Sequence, residues 1–149
     1  MDNQEFEFRY YNGQQIIDEE HELFQQMRSV CDTRPYMDPN TIIYLNEEST
    51  VCCMFQNNEC VGFSWLAFAD EEPLAKLCWF VTDKDKISGL DAKFLLDETF
   101  DYCKSQGVEA VKFNCFDGSW GRIRNKEKLF EKFGYKVFQD EEYDMSIEM

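Results

Sequence analysis

The tail of the chain narrows the fold most. Leu129, Phe130 and Phe133 share one face of a helical stretch over residues 122–133, Gly134 stops it, and an apolar run begins at Tyr135. Glycine just past the last periodic residue is a common helix terminator, because it reaches positive φ without a Cβ clash. Residues 88–106, Gly107 and the apolar residues 108–115 follow the same order of helix, glycine and strand. An amphipathic helix that leads directly into a buried strand has to pack back onto a sheet, so layers of both element types are expected.

Upstream the period changes. Phe6, Phe8 and Tyr10 alternate with Glu7 and Arg9, which predicts a half-buried strand ended by Asn12 and Gly13. Ile16, Ile17, Leu23, Phe24, Met27 and Val30 recur at helical spacing and predict one helix. Pro35 and Pro39 mark residues 32–40 as a loop or short irregular helix, and residues 41–45 read as a short strand. Residues 51–56 and 61–69 predict strands joined by a tight turn at Asn57 and Asn58, since Asn tolerates positive φ. The second of these runs is nearly all apolar, so both its faces are expected to be covered. Pro73 and the acids before it end that strand, and residues 76–82 form the next. Val111, Phe113 and Cys115 fall on one face of a strand over 108–115, and Asp117, Gly118 and Ser119 make a turn. Residues 135–139 and 143–147 close the chain as a hairpin. The expected architecture is a single α/β (α+β) domain over residues 1–149, with a mixed, mostly antiparallel sheet and helices on both faces.

Composition limits the function. The chain carries 30 acidic against 15 basic residues, a net charge of −15, yet 44% of it is hydrophobic and 14 residues are Phe. That apolar content supports a folded core. No run of 18 apolar residues occurs, so no membrane span is expected. The first residues lack the basic and apolar regions of a secretory signal, so a cytoplasmic protein is expected. Residues 1–75 hold 15 acids and 3 bases, a net of −12. Nucleic-acid binding is therefore not expected, because it rests on neutralising phosphates. A local basic cluster of Arg122, Arg124, Lys126, Lys128, Lys132 and Lys136 faces only Glu127 and Glu131. It reads either as a hold for a small phosphorylated ligand or as a solvated helix face with Glu–Lys pairs. The seven cysteines include no Cys-x-x-Cys pair and His21 is the only histidine, so neither a metal site nor a Cys–His nucleophile is expected. Most of the thiols lie in apolar runs and read as small core residues in a reducing compartment. Trp65 and Trp79 read as core, whereas Trp120 in its polar turn reads as an exposed aromatic.

The order of elements, a glycine at the start of the helix over 88–106, and Glu131, Lys132, Phe133, Gly134 and Tyr135 at the end of the last helix resemble the GNAT acetyltransferase superfamily. In that family acetyl-CoA lies where the fourth strand splays from the fifth, and a Gln/Arg-x-x-Gly-x-Gly/Ala loop wraps its pyrophosphate with backbone N–H groups at a helix N-terminus. The orphan donors and helix dipole there suit an anion. The matching residues are Lys86, Ile87, Ser88, Gly89, Leu90 and Asp91. Asp91 departs from the family's small residue, and a carboxylate there caps the donors itself. Phe130 stands where many members place a tyrosine general acid, and it has no proton to give. The Asn usual seven residues earlier falls on Ile123, and the strand over 77–82 offers no well-placed carboxylate as a base. A narrower likeness, carried by Cys78, Trp79, Phe80, Val81 and Thr82, then Ser88, Gly89, Ala92 and Lys93, a Phe-x-x-x-Gly helix end and an acidic-aromatic hairpin, is to the GNAT-like internal virion protein of short-tailed podophages.

The resemblance implies acetyl-CoA or coenzyme A as the ligand, with Val81, Lys86, Ser88 and Gly89 nearest its phosphates and Arg122 and Arg124 in electrostatic support. It assigns no catalytic residue. Three readings follow. The first is a GNAT-fold protein, phage-encoded and placed in host cytoplasm or virion, whose acetyl-CoA chemistry is weakened or lost and which works through a protein partner. The second is an active N-acetyltransferase on a basic small-amine or protein acceptor, drawn by the acidic N-terminal half. The third is an acidic DNA mimic that occupies a basic protein groove.

Overall fold

The computed structural model describes residues 6–35, 37–113, 130–139 and 145–148. Strand β1 (Phe6–Asn12) is followed by helices α1 (Gly13–Glu19) and α2 (His21–Asp32) and a 3-10 helix (Pro39–Tyr44). Strands β2 (Ser49–Gln56), β3 (Glu59–Phe68) and β4 (Leu74–Thr82) come next, then helix α3 (Gly89–Ser105), β5 (Ala110–Phe113), β6 (Val137–Gln139) and β7 (Met145–Glu148). The strands form one sheet in the order β1-β2-β3-β4-β5-β7-β6. Every neighbouring pair is antiparallel except β4 and β5, which run parallel with α3 as the crossover.

Both faces of the sheet are covered, as the unbroken apolar run in β3 anticipates. Alternate residues of β2 divide between the layers. Val51, Cys53 and Phe55 join Ile16, Leu23, Met27 and Val30 of the first two helices. Cys52 and Met54 pack beneath Leu95 of α3. Farther along α3, Leu96, Phe100 and Cys103 close over Leu66, Leu77, Val111, Phe130 and Ile147. One buried polar contact fixes the helix to the sheet. Ser64 on β3 and Thr99 on α3 are fully buried and share a 2.7 Å hydroxyl hydrogen bond. Thr99 Oγ1 also donates to Leu95 O at 2.7 Å, which leaves Ser64 as the donor of the pair.

The turns follow their residues. Asn57 and Asn58 both take positive φ, 52° and 64°, in a two-residue hairpin loop. Gly107 (φ 81°) and Gly134 (φ 99°) end helical segments as expected. Gly13 is required for a different reason: an added Cβ would lie 2.6 Å from Ser49 Cβ and 2.7 Å from Asn46 O.

Two expectations are corrected. The helix anticipated across residues 16–30 is two helices, broken at Glu20 (φ −106°, ψ 62°). Asp18 and Glu22 sit four apart among the adjacent acids, and like charges at that spacing oppose a continuous helix. Residues 41–45 are not a strand, because residues 39–44 form the 3-10 helix. Asp38 accepts the Asn40 N–H at 2.9 Å and Pro39 supplies the first helical position, a capped start that favours a turn of helix. The expected helix over 122–133 is described only at its end, where residues 130–132 are helical. The turn at 117–119, Cys115 and Trp120 lie outside the described residues. Trp65 is core, and Trp79 is half-buried against the α2-side cluster. No described helix is long and apolar enough to cross a membrane.

Candidate functional site

Among the described residues, β4 pairs in parallel with β5 through Leu74, Ala75 and Lys76, and β4 runs on to Thr82. A bulge interrupts the pairing of β4 with β3. Trp65 pairs with Trp79 and Leu66 with Leu77, which leaves Cys78 as the extra residue of β4. A bulge increases local twist and re-aims the strand beyond it. Cys78 and Trp79 consequently pack on the same, α2-side cluster.

At the end of β4 the chain turns through residues 83–88 into α3. Two side chains from the end of α2 brace this turn. Arg34 donates from Nε to Thr82 O and from Nη2 to Thr82 Oγ1, both at 2.8 Å, and Thr33 Oγ1 accepts the Lys84 N–H at 3.1 Å. Asp83 is buried, and its Oδ1 accepts the N–H groups of Asp85 (2.9 Å) and Lys86 (3.1 Å). The Ile87 N–H goes to Asp83 O at 3.2 Å. Ser88 then caps α3 through a reciprocal box: its Oγ accepts the Asp91 N–H at 3.2 Å, and Asp91 Oδ2 accepts the Ser88 N–H at 3.4 Å. The Ala92 N–H bonds Ser88 O. The backbone donors of 84–88, 91 and 92 are therefore all engaged within the chain.

The residues named from the sequence are placed as follows. Val81 is buried in the α2-side core. Lys86 is exposed at the turn, with its ammonium ion-paired to Glu59, whose hydrogen bond raises the lysine pKa. Ser88 is the helix cap, and Gly89 follows it in open surroundings with nothing within 4 Å of a built Cβ. Leu90 beside it is 76% exposed. Arg122 and Arg124 lie outside the described residues. Phe130 is only 2% exposed and belongs to the α3-side core. Tyr135 donates its hydroxyl to Asp97 and meets Phe100 edge-on at 4.8 Å. Burial, then that carboxylate, pushes the Tyr135 pKa up, so the phenol keeps its proton.

Sequence reasoning missed Asp83, Arg34, Thr33 and Glu59. An Asp two residues before the engaged amides is an Asx-turn signal that could have been read. The other three meet the loop only through tertiary folding. Among the described residues no group of three or more His, Cys, Asp or Glu side chains gathers as a metal ion would require.

No family model and no curated protein sequence matches the chain. Solved structures do. The fold is that of the GNAT acetyltransferases. The ribosomal-protein-S18-alanine N-acetyltransferase of Escherichia coli superposes with a TM-score of 0.66 at 13% identity, over 95% of this chain and 90% of that one. The PaiA N-acetyltransferase of Thermoplasma acidophilum, solved in complex with coenzyme A, gives 0.61 at 16% identity over 96% and 97%. A GNAT-family acetyltransferase of Staphylococcus aureus Mu50 gives 0.61 at 17% identity over 92% and 87%.

Proposed function

We propose that this GNAT-fold protein has a weakened or lost acetyl-CoA site and acts mainly through contacts with a protein partner. The observation that carries the reading is the turn at 83–88 and the cap of α3, where the N–H groups of 84–88, 91 and 92 are already engaged. A pyrophosphate held at a helix N-terminus needs free N–H donors and a positive local field. Here the side chains of Asp83, Ser88 and Asp91 already accept four of the backbone donors counted above, and two of those three groups are carboxylates. Lys86 keeps a cation, but Glu59 holds it. The residues present do not fit a bound pyrophosphate, so no acyl-transfer step is derived. The likeness of Cys78, Trp79, Phe80, Val81 and Thr82 and of the Phe130–Gly134 helix end to the podophage internal virion protein adds a phage-encoded, virion-associated role to this reading.

The test is calorimetric titration with acetyl-CoA and with free coenzyme A. The wild type should release no heat at millimolar ligand, and Asp91→Ala, which frees the Ser88 donor and removes a charge, should bind more tightly than wild type. Micromolar binding by the unmodified protein would sink the reading.

One observation favours an active N-acetyltransferase instead: Gly89 opens α3 with nothing within 4 Å of a built Cβ, so a ligand can approach the backbone there. In that case Val81, Lys86, Ser88 and Gly89 hold coenzyme A, and acetyl transfer to a basic amine should be measurable and should fail in Gly89→Trp.

A further inference from the structure

We infer that β1 is a self-complementary docking edge at which two copies of this chain join their sheets. β1 ends the strand order, and its only partner among the described residues is β2. Exposed edges are usually blunted by a proline, a bulge or a lysine, because unpaired N–H and C=O groups invite another strand. β1 has no proline, bulge or lysine, and its two charged residues, Glu7 and Arg9, are of opposite sign. Its register with β2 runs without a shift from Phe6↔Gln56 to Asn12↔Thr50, and its sequence is FEFRYYN.

That sequence is complementary to itself when reversed. In an antiparallel pair centred on Phe8, Glu7 stands opposite Arg9 of the second copy, Arg9 opposite its Glu7, and Phe6 opposite its Tyr10. Opposite charges and aromatic pairs directly across two strands are stabilising. The two sets lie on opposite faces, as the pairing requires. Phe6 and Phe8 pack toward α3, and Tyr10 stacks on Tyr102 of α3 at 4.3 Å and bonds Glu98. Glu7 and Arg9 lie on the other face, bonded to each other at 2.9 Å, with Arg9 4.4 Å over the Phe55 ring. Two ion pairs across the joint would form a four-charge network from groups that are already ordered.

Net charge points to the same strand. Two chains that each carry −15 repel, and residues 1–75 hold only three basic residues, Arg9, Arg28 and Arg34. On β1 itself the single acid and single base cancel, although Glu20, Glu22 and Glu98 lie close beside the strand.

Analytical ultracentrifugation of the full chain tests this. The wild type should dimerise reversibly. Glu7→Arg and Arg9→Glu should each weaken dimerisation by about tenfold, because two attractive pairs become two repulsive ones. An equimolar mixture of the two single variants should recover a heterodimer, since one copy then offers only positive and the other only negative charge. The double variant Glu7→Arg/Arg9→Glu should recover the homodimer. Circular dichroism of each variant separates misfolding from lost association. A wild type that stays monomeric at millimolar concentration overturns the proposal. So does a dimer that both single variants leave intact, which would place the contact elsewhere.

Discussion

At the scale of single residues, the buried Ser64–Thr99 pair is the most exposed to test. Both hydroxyls are fully buried, and the pair joins β3 to α3 at 2.7 Å. Thr99→Val keeps the shape and removes the acceptor that Ser64 uses. A buried donor left unmatched costs about 1–3 kcal/mol. Urea unfolding should show a loss of that size for Thr99→Val, and Ser64→Ala with Thr99→Val together should lose less than the two single changes added. Strict additivity would mean that the hydroxyls do not interact. Phe130 and Tyr135 carry the other residue-scale lesson. The ring without a hydroxyl is deep in the core, and the nearby ring that has one donates a hydrogen bond to Asp97. Neither ring offers a free general acid.

At the scale of elements, the start of α3 determines both stability and ligand capacity. Ser88 and Asp91 satisfy each other's backbone donors, which anchors a helix that covers one face of the sheet. Ser88→Ala should cost about 0.5–2 kcal/mol, the usual worth of a side-chain N-cap. Asp91→Ala should cost less, since only the longer return bond is lost. If Ser88→Ala left the urea midpoint unchanged, the box would not be formed in solution. The same bonds that stabilise the helix leave the turn poorly suited to an anion, so stability and coenzyme affinity should move in opposite directions at position 91.

At the scale of the whole molecule, the thiols make stability depend on alkaline pH. Burial pushes Cys31, Cys52 and Cys103 up from the ordinary value of 9.0 to about 12. Below 9.0 these thiols are neutral whether the chain is folded or not, and their contribution is fully present. Above it the unfolded chain ionises first and binds fewer protons than the native one, so stability falls as pH rises toward about 12. Tyr10 and Tyr135, also raised mainly by burial, add to the loss from their ordinary value of 10.0 upward. The urea midpoint should therefore fall steadily above pH 9.0, and a flat profile through that window would contradict the burial of the thiols. In the native state at neutral pH, these protonated, buried thiols should resist a thiol reagent that modifies them readily after unfolding.

The sequence by itself determined the elements whose signals are local. The stops at Gly107 and Gly134 and the Asn57–Asn58 turn follow from φ preference, the alternation in β1 from a half-buried strand, and the unbroken apolar run of β3 from burial on both faces. Asp91 as a cap was legible as well, because a capping box lies within three residues. The tertiary structure alone decided the rest. The break at Glu20 and the 3-10 turn after Asp38 depend on competition between near-equal local preferences. The bulge at Cys78 exists only in relation to β3, and the insertion of β7 between β5 and β6 is a matter of pairing. Arg34, Thr33 and Glu59 reach the 83–88 turn from positions far away in the chain. Local preferences act through a few backbone angles and can be read in order, whereas these contacts form only once the chain has folded and brought distant residues together.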